Sequence, residues 1–191
     1  MPTKILAFAG SARKESFNKK LVKLAVAGAR SAGAEVTLVD LADLPMPIYD
    51  GDLEAAQGLP PNAKAFKELM KSHDAFLIAS PEYNSSVSAL LKNCIDWASR
   101  PEPGEPGLVA FAGKVAGIMS ASPGALGGMR GLVALRSILG NISVLVVPEQ
   151  VSVSGAAEAF DADGMLKDAK KQAAAEAVGK KVAIVATKLK A

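Results

Sequence analysis

The feature that most constrains the fold is an alternation near the start of the chain. A short apolar run, Lys4 to Ala9 (KILAFA), stops at Gly10 and is followed from Asn18 by one helical stripe: Leu21, Leu24, Ala25, Gly28, Ala29 and Ala32. Gly33 stops that helix, and a second apolar run, Glu35 to Asp40 (EVTLVD), follows. The first run lacks the polar alternation of a half-exposed strand, so it is expected to be buried on both faces. Two such strands joined through a helix form a right-handed βαβ crossover with the strands parallel.

The pattern recurs along the chain. Helices are expected over Ala63 to Ser72, Ser88 to Ser99, Met129 to Leu139 and Asp168 to Lys188, with strands over Ala75 to Ala79, Val115 to Met119 and Ser143 to Val147. Five strands alternating with five helices, without a hairpin signal, predict a three-layer α/β fold around a parallel sheet, with residues 1–191 as one domain. Asp40 to Pro61 is expected as a long Pro/Gly/Asp-rich connection, and connections of that length tend to be functional or disordered.

Composition removes several function classes. The chain has 191 residues and half of them are hydrophobic, too apolar for intrinsic disorder and enough for one full core. Cys94 is the only cysteine and His73 the only histidine, which excludes an internal disulfide, a cysteine-rich metal cage and most histidine relays, and no metal site is expected. The net charge is +3 with scattered cations, favouring an acidic small molecule at least as much as nucleic acid. No apolar run approaches the ~20 residues of a membrane helix, and Met1 to Ala9 lacks the pattern of a signal peptide, so the cytoplasm is expected.

In a parallel sheet, ligands bind beyond the carboxyl ends of the strands, which directs attention to three loops. The first, Gly10 to Asn18 (GSARKESFN), enters a helix whose free N–H groups favour an anion. Ser11, Ser16 and Asn18 add polar donors there, and Arg13 a cationic fork. It reads equally as a helix cap beside a solvated arginine. It is neither a Walker A segment nor G-x-G-x-x-G. The second, Ser80 to Ser86 (SPEYNSS), is a stiff turn placing backbone edges beside an aromatic ring, or common turn chemistry with Tyr83 packed on the core. The third, Ser120 to Gly128 (SASPGALGG), lets a flat ligand lie against backbone, or serves as a flexible connector.

Together GSARKESFN, PEYN and SASPGALGG resemble the three flavin-contacting loops of the NADPH-dependent FMN reductase family, which includes quinone, azo-dye and chromate reductases. The resemblance runs from Lys4 to about Val153 and implies a flavodoxin-like sheet in the order 2-1-3-4-5. It implies that Ser11, Arg13, Ser16, Phe17 and Asn18 hold the FMN phosphate, that Pro81, Glu82, Tyr83 and Asn84 border the ring, and that Ser120, Ser122 and Gly124 close the opposite side. It further implies that the loop around Tyr49 reaches the flavin of a neighbouring subunit, hence a homodimer or homotetramer. Where relatives carry a proline near the start of the helix after PEYN, this chain has Val87-Ser88, and Ser88 is expected to cap that helix.

The reaction implied is hydride transfer from NADPH or NADH to FMN, then two-electron reduction of a quinone or similar acceptor. Backbone N–H groups would stabilise the reduced ring, no side chain need be catalytic, and the two substrates would use one ring face in turn. The alternatives are a one-electron flavodoxin-type carrier, whose kind usually has an acidic surface, and a cofactor-free interaction domain. Arg100 and Arg130 are read as solvated or as meeting a dinucleotide phosphate, His73 as a surface residue at a helix end, Cys94 as a buried inert thiol, and Trp97 as helix packing or a subunit contact.

Overall fold

A computed structural model describes residues 1–190. Strands β1 (Lys4–Ala9), β2 (Glu35–Val39), β3 (Ala75–Ala79), β6 (Val115–Ala121) and β7 (Leu145–Val153) form one sheet in the order β2-β1-β3-β6-β7, every pair parallel. This is the expected 2-1-3-4-5 topology. The labels differ because two short strands, β4 (Glu82–Tyr83) and β5 (Ser86–Val87), pair antiparallel within the second loop. That hairpin was not expected: each arm is two residues long, too short for any alternation to register.

Helices α1 (Phe17–Ser31) and α7 (Ala169–Lys190) cover one face of the sheet, and α3 (Pro61–Ser72), α4 (Ala89–Ala98) and α5 (Met129–Asn141) the other. Side chains alternate across β1 accordingly. Ile5, Ala7 and Ala9 enter the core under α1 and α7, while Leu6 and Phe8 enter the core with Phe66, Met70 and Leu91. The α1/α7 side is built from small residues. A Cβ on Gly28 would lie 1.9 Å from the Glu176 carbonyl oxygen, and one on Gly179 1.8 Å from that of Ala25, so the two helix backbones touch.

Several expectations need correction. The long connection contains a 3-10 turn, Leu41–Asp43, and helix α2 (Gly51–Gln57), which Asp50 caps by accepting the N–H groups of Asp52 and Leu53. No residue of α2 is buried, so it leaves no apolar stripe in the sequence. A four-residue helix, α6 (Ala156–Ala159), precedes α7. Strand β7 begins two residues later than expected and runs on past Pro148 to Val153. As an edge strand it absorbs the proline in a bulge, pairing Ala116 with Val146 but Ile118 with Gln150.

His73 is buried rather than on the surface. Its Nδ1 donates to the Leu69 carbonyl at 2.6 Å, and its Nε2 meets the Thr37 hydroxyl at 2.8 Å. Cys94 is buried as expected, and desolvation pushes its thiol up to about 12.

Candidate functional site

The three loops meet beyond the carboxyl ends of β1, β3 and β6, and each pair is tied by one side chain. Asn18, in the first turn of α1, joins the first loop to the third. Its Nδ2 donates to the Ala121 carbonyl and its Oδ1 accepts the Ala121 N–H, both at 2.9 Å and both buried. Ser88, the N-cap of α4, joins the first to the second: its hydroxyl donates to the Gly10 carbonyl at 2.6 Å and accepts the Leu91 N–H at 3.2 Å. Ser88 thus supplies the cap that a proline does not, and α4 comes so near that a Cβ on Gly10 would lie 2.9 Å from the Leu91 Cβ.

Glu82 joins the second loop to the third. Its carboxylate accepts from Arg130 Nε at 2.9 Å and from the Gly131 N–H at 3.1 Å, at the start of α5. Desolvation raises the Glu82 pKa, but the Gly131 N–H and the Arg130 guanidinium outweigh it and the net shift is downward. The carboxylate therefore stays ionised and faces α5. Arg130 is thus paired with Glu82 rather than simply solvated, with its side chain more than half exposed.

Between these ties lies a small depression of about 70 Å³. Of the residues singled out in the sequence, Ser11, Arg13, Ser16, Phe17, Asn18, Pro81, Glu82, Tyr83 and Ser122 line it, joined by Ala121 and Pro123. Ala121 could not be found from residue type, because it takes part only through its backbone. Pro123 lay within a motif already noted, but carries no polar group to mark it.

Asn84, Ser120 and Gly124 do not line the depression. Asn84 and Ser85 are the exposed turn of the hairpin, with φ of 51° and 64°, the left-handed pair of a two-residue type I′ connection. Gly124 is exposed, its N–H donating to the Ser122 hydroxyl at 3.2 Å. Ser120 is fully buried, because β6 runs two residues beyond its expected end and makes Ser120 a strand residue. Its hydroxyl has no hydrogen-bond partner among the described residues and lies under Gly128, where an added Cβ would come within 1.9 Å of it.

The depression suits an anion. Ser16 is the N-cap of α1, yet its side chain makes no capping bond, so the N–H groups of Phe17 and Asn18 remain open at the positive end of a 15-residue helix. Arg13 is exposed and pairs with no carboxylate among the described residues, in contrast to Arg100 and Arg130. Tyr83, 56% exposed, stands at the edge. The donor set fits a phosphate at the helix N-terminus, and a cup this small has room for only part of a mononucleotide.

A family model described as NADPH-dependent FMN reductase matches residues 3–158. The chain belongs to that family. An NAD(P)H-dependent FMN reductase of Pseudomonas aeruginosa is 41% identical over 169 residues, covering 87% of this chain and 86% of the relative. An NAD(P)H:quinone oxidoreductase of Solanum tuberosum is 35% identical over 192 residues, covering 98% and 94%. Among solved structures, the flavoenzyme NAD(P)H:(acceptor) oxidoreductase of Paracoccus denitrificans superposes with a TM-score of 0.78 at 28% identity, covering 97% of this chain and 98% of that one.

The Tyr49 segment lies on α4. Asn93 Nδ2 and Trp97 Nε1 both donate to the Pro47 carbonyl at 2.8 Å, and the Tyr49 N–H donates to Asn93 Oδ1 at 2.8 Å. The Tyr49 ring packs edge-on against the buried Trp97, with its hydroxyl on Glu54 and the Arg100 guanidinium 5.5 Å from its centre. The Glu54 contact raises the phenol's pKa. Between these anchors Ile48 is left 85% exposed. Trp97 is thus an internal packing residue that also holds this loop.

Proposed function

We propose that this chain is an FMN-dependent NAD(P)H oxidoreductase that takes hydride from NADH or NADPH and passes two electrons to a quinone or a similar azo, nitro or chromate acceptor. The observation that carries the reading is the anion cup formed where three tied loops meet, in a chain of this family. FMN supplies the redox chemistry when bound. Arg13, Ser11, Ser16 and the open N–H groups of Phe17 and Asn18 hold its phosphate. Pro81, Tyr83 and the Glu82 backbone border the ring on one side, and Ser122 with its neighbours on the other. Glu82 acts through position: by engaging Arg130 and Gly131 it keeps the second loop against the third. No side chain need act as acid or base, and the chain's contribution is orientation and fixed dipoles.

A cup of about 70 Å³ leaves most of a flavin without walls, and this supports a homodimer or homotetramer in which the Tyr49 loop, with Ile48 at its tip, covers the neighbouring subunit's ring. Residues 1–191 then work as one FMN-binding unit. No helix among the described residues is long and apolar enough to cross a membrane, which is in keeping with a cytoplasmic enzyme.

The test is anaerobic stopped-flow on FMN-loaded protein. Mixing with NADPH or NADH is expected to bleach the flavin, and a quinone to restore it. Arg13→Ala is expected to weaken FMN binding by about ten- to a hundredfold, the effect of one charge-assisted contact. Failure to retain FMN at micromolar concentration, or a bound flavin that neither nicotinamide bleaches, would overturn the reading.

A further inference from the structure

The net charge of +3 conceals an uneven distribution. Helices α1 and α7 carry ten Lys or Arg residues and a single carboxylate, Glu176, whereas twelve of the chain's 22 cations and eighteen of its 19 carboxylates lie elsewhere. Because the two helix backbones touch, these cations belong to one layer over one face of the sheet. Its exposed positions recur every three or four residues: Lys23, Ala27 and Arg30 on α1, and Lys170, Ala173, Ala177 and Lys180 on α7. Beyond Lys180 the α7 row continues through Ile184 to Lys188.

Part of this charge is already spent. Lys19 pairs with Asp40, Lys181 with Glu149 and Lys190 with Asp74, the Lys20 ammonium lies 6.0 Å from the centre of the Phe160 ring, and Lys23 shares a depression with Asp163. Lys170, Lys180 and Lys188 meet no carboxylate among the described residues, and Arg30 donates only to the Val36 carbonyl. Glu176 is held by the Gln172 amide. Only alanines stand between the outward cations of the two rows, and no aromatic residue is exposed there on which a nucleic-acid base could stack. Lysines on long stems, beside the exposed Ile184 and Leu189, suit instead a broad array of negative headgroups into whose boundary the apolar side chains sink.

We propose that the α1/α7 face docks on an anionic phospholipid bilayer, attaching the protein peripherally, with Arg30, Lys170, Lys180 and Lys188 as its contacts. The Tyr49 loop lies on α4, across the sheet, so this face is separate from the proposed subunit contact. The inference stands on charge placement and goes beyond the oxidoreductase reading. On that reading, docking brings the cup, at the start of α1, beside the headgroups, where a lipid-soluble acceptor is concentrated.

The experiment is co-sedimentation of the full chain with vesicles of equal parts phosphatidylglycerol and phosphatidylcholine, against vesicles of phosphatidylcholine alone. Binding is expected only to the anionic vesicles, and raising salt from about 0.05 M to about 0.5 M should release the protein as the Debye length contracts. The double variant Lys170→Gln/Lys180→Gln should weaken that binding at least about tenfold, whereas Lys64→Gln/Lys92→Gln, which lowers the net charge equally on the opposite side of the sheet, should change it less than about twofold. Glutamine keeps nearly the helix propensity of lysine, so the thermal melt of the first variant should match the wild type. Equal binding to neutral vesicles, or equal losses in the two variants, would overturn the docking face. DNA bound more tightly than the anionic vesicles, and lost only in the Lys170/Lys180 variant, would assign the face to nucleic acid and overturn it likewise. None of these readouts involves flavin, so they fail or succeed separately from the bleaching that tests the oxidoreductase reading.

Discussion

The two ends of the sheet are held together by different chemistry. At the carboxyl end, two of the three ties between loops are neutral side chains bonded to backbone, Asn18 to Ala121 and Ser88 to Gly10. The third, Glu82, is charged but faces away into α5. On the α3 side the Pro-rich segment before β6 is held by ions. Buried Lys67 reaches Glu102 at 3.1 Å and Glu105 at 2.5 Å, Lys64 adds a bond to Glu102, and Lys71 bridges Glu105 and Glu68. Glu68, Glu102 and Glu105 lie close enough to hold a cation, and lysine ammonium groups already occupy that role. The difference teaches how the proposed anion site would be kept available: its scaffold uses groups that add no net charge, leaving Arg13 and the α1 dipole uncommitted.

The largest expected effect comes from removing a neutral tie. Asn18→Ala strips partners from a buried N–H and a buried carbonyl at Ala121, a loss of about 2–4 kcal/mol in urea unfolding. It should also release FMN, because the first and third loops separate. A variant that unfolds at the wild-type midpoint would show that the neutral tie is dispensable. Next comes Lys67→Met, which keeps the buried stem but leaves Glu102 and Glu105 each with one lysine. About 1–3 kcal/mol should be lost, with FMN affinity unchanged because the change is remote from the cup. Loss of FMN affinity in that variant would mean that the two regions are coupled.

The smallest effect is a pH dependence confined to the ionic region. Hydrogen bonds from Lys67 and Lys71 hold the Glu105 carboxyl down at about 2, against about 4.3 for an unperturbed glutamate. A depressed carboxyl contributes stability above its unfolded value and loses it as pH falls toward its folded value, here between about pH 4.3 and 2. The urea midpoint of the wild type should therefore fall more steeply over that window than that of Glu105→Gln. Parallel slopes would remove Glu105 from the account of acid sensitivity.

Much of this molecule is legible in the amino-acid sequence, for physical reasons that also mark where legibility ends. β1 and β3 are buried on both faces, so continuous apolar runs delimit them to the residue. The edge strand β7 is half-exposed and bulged, and Pro148 within it reads as a stop. At the site, Arg13, Ser16 and Asn18 stand out because loop polarity after a buried strand is informative. That Asn18 binds Ala121, 103 residues away, is invisible, because a backbone partner leaves no trace in residue type. Glu82 was singled out for the right loop, but its direction depended on α5 arriving beside it.

The glycine contact between α1 and α7 carries a consequence for the cup. Gly28 lies eleven residues beyond Phe17, about 16 Å along the helix axis. A side chain there would push α1 off α7 at that end and swing the other, as a lever moves about its support. The opening turn, with its two unoccupied amide hydrogens, would be displaced although nothing near it had changed. On the proposed reading, how tightly a mononucleotide is gripped would be decided at the far end of the rod that grips it.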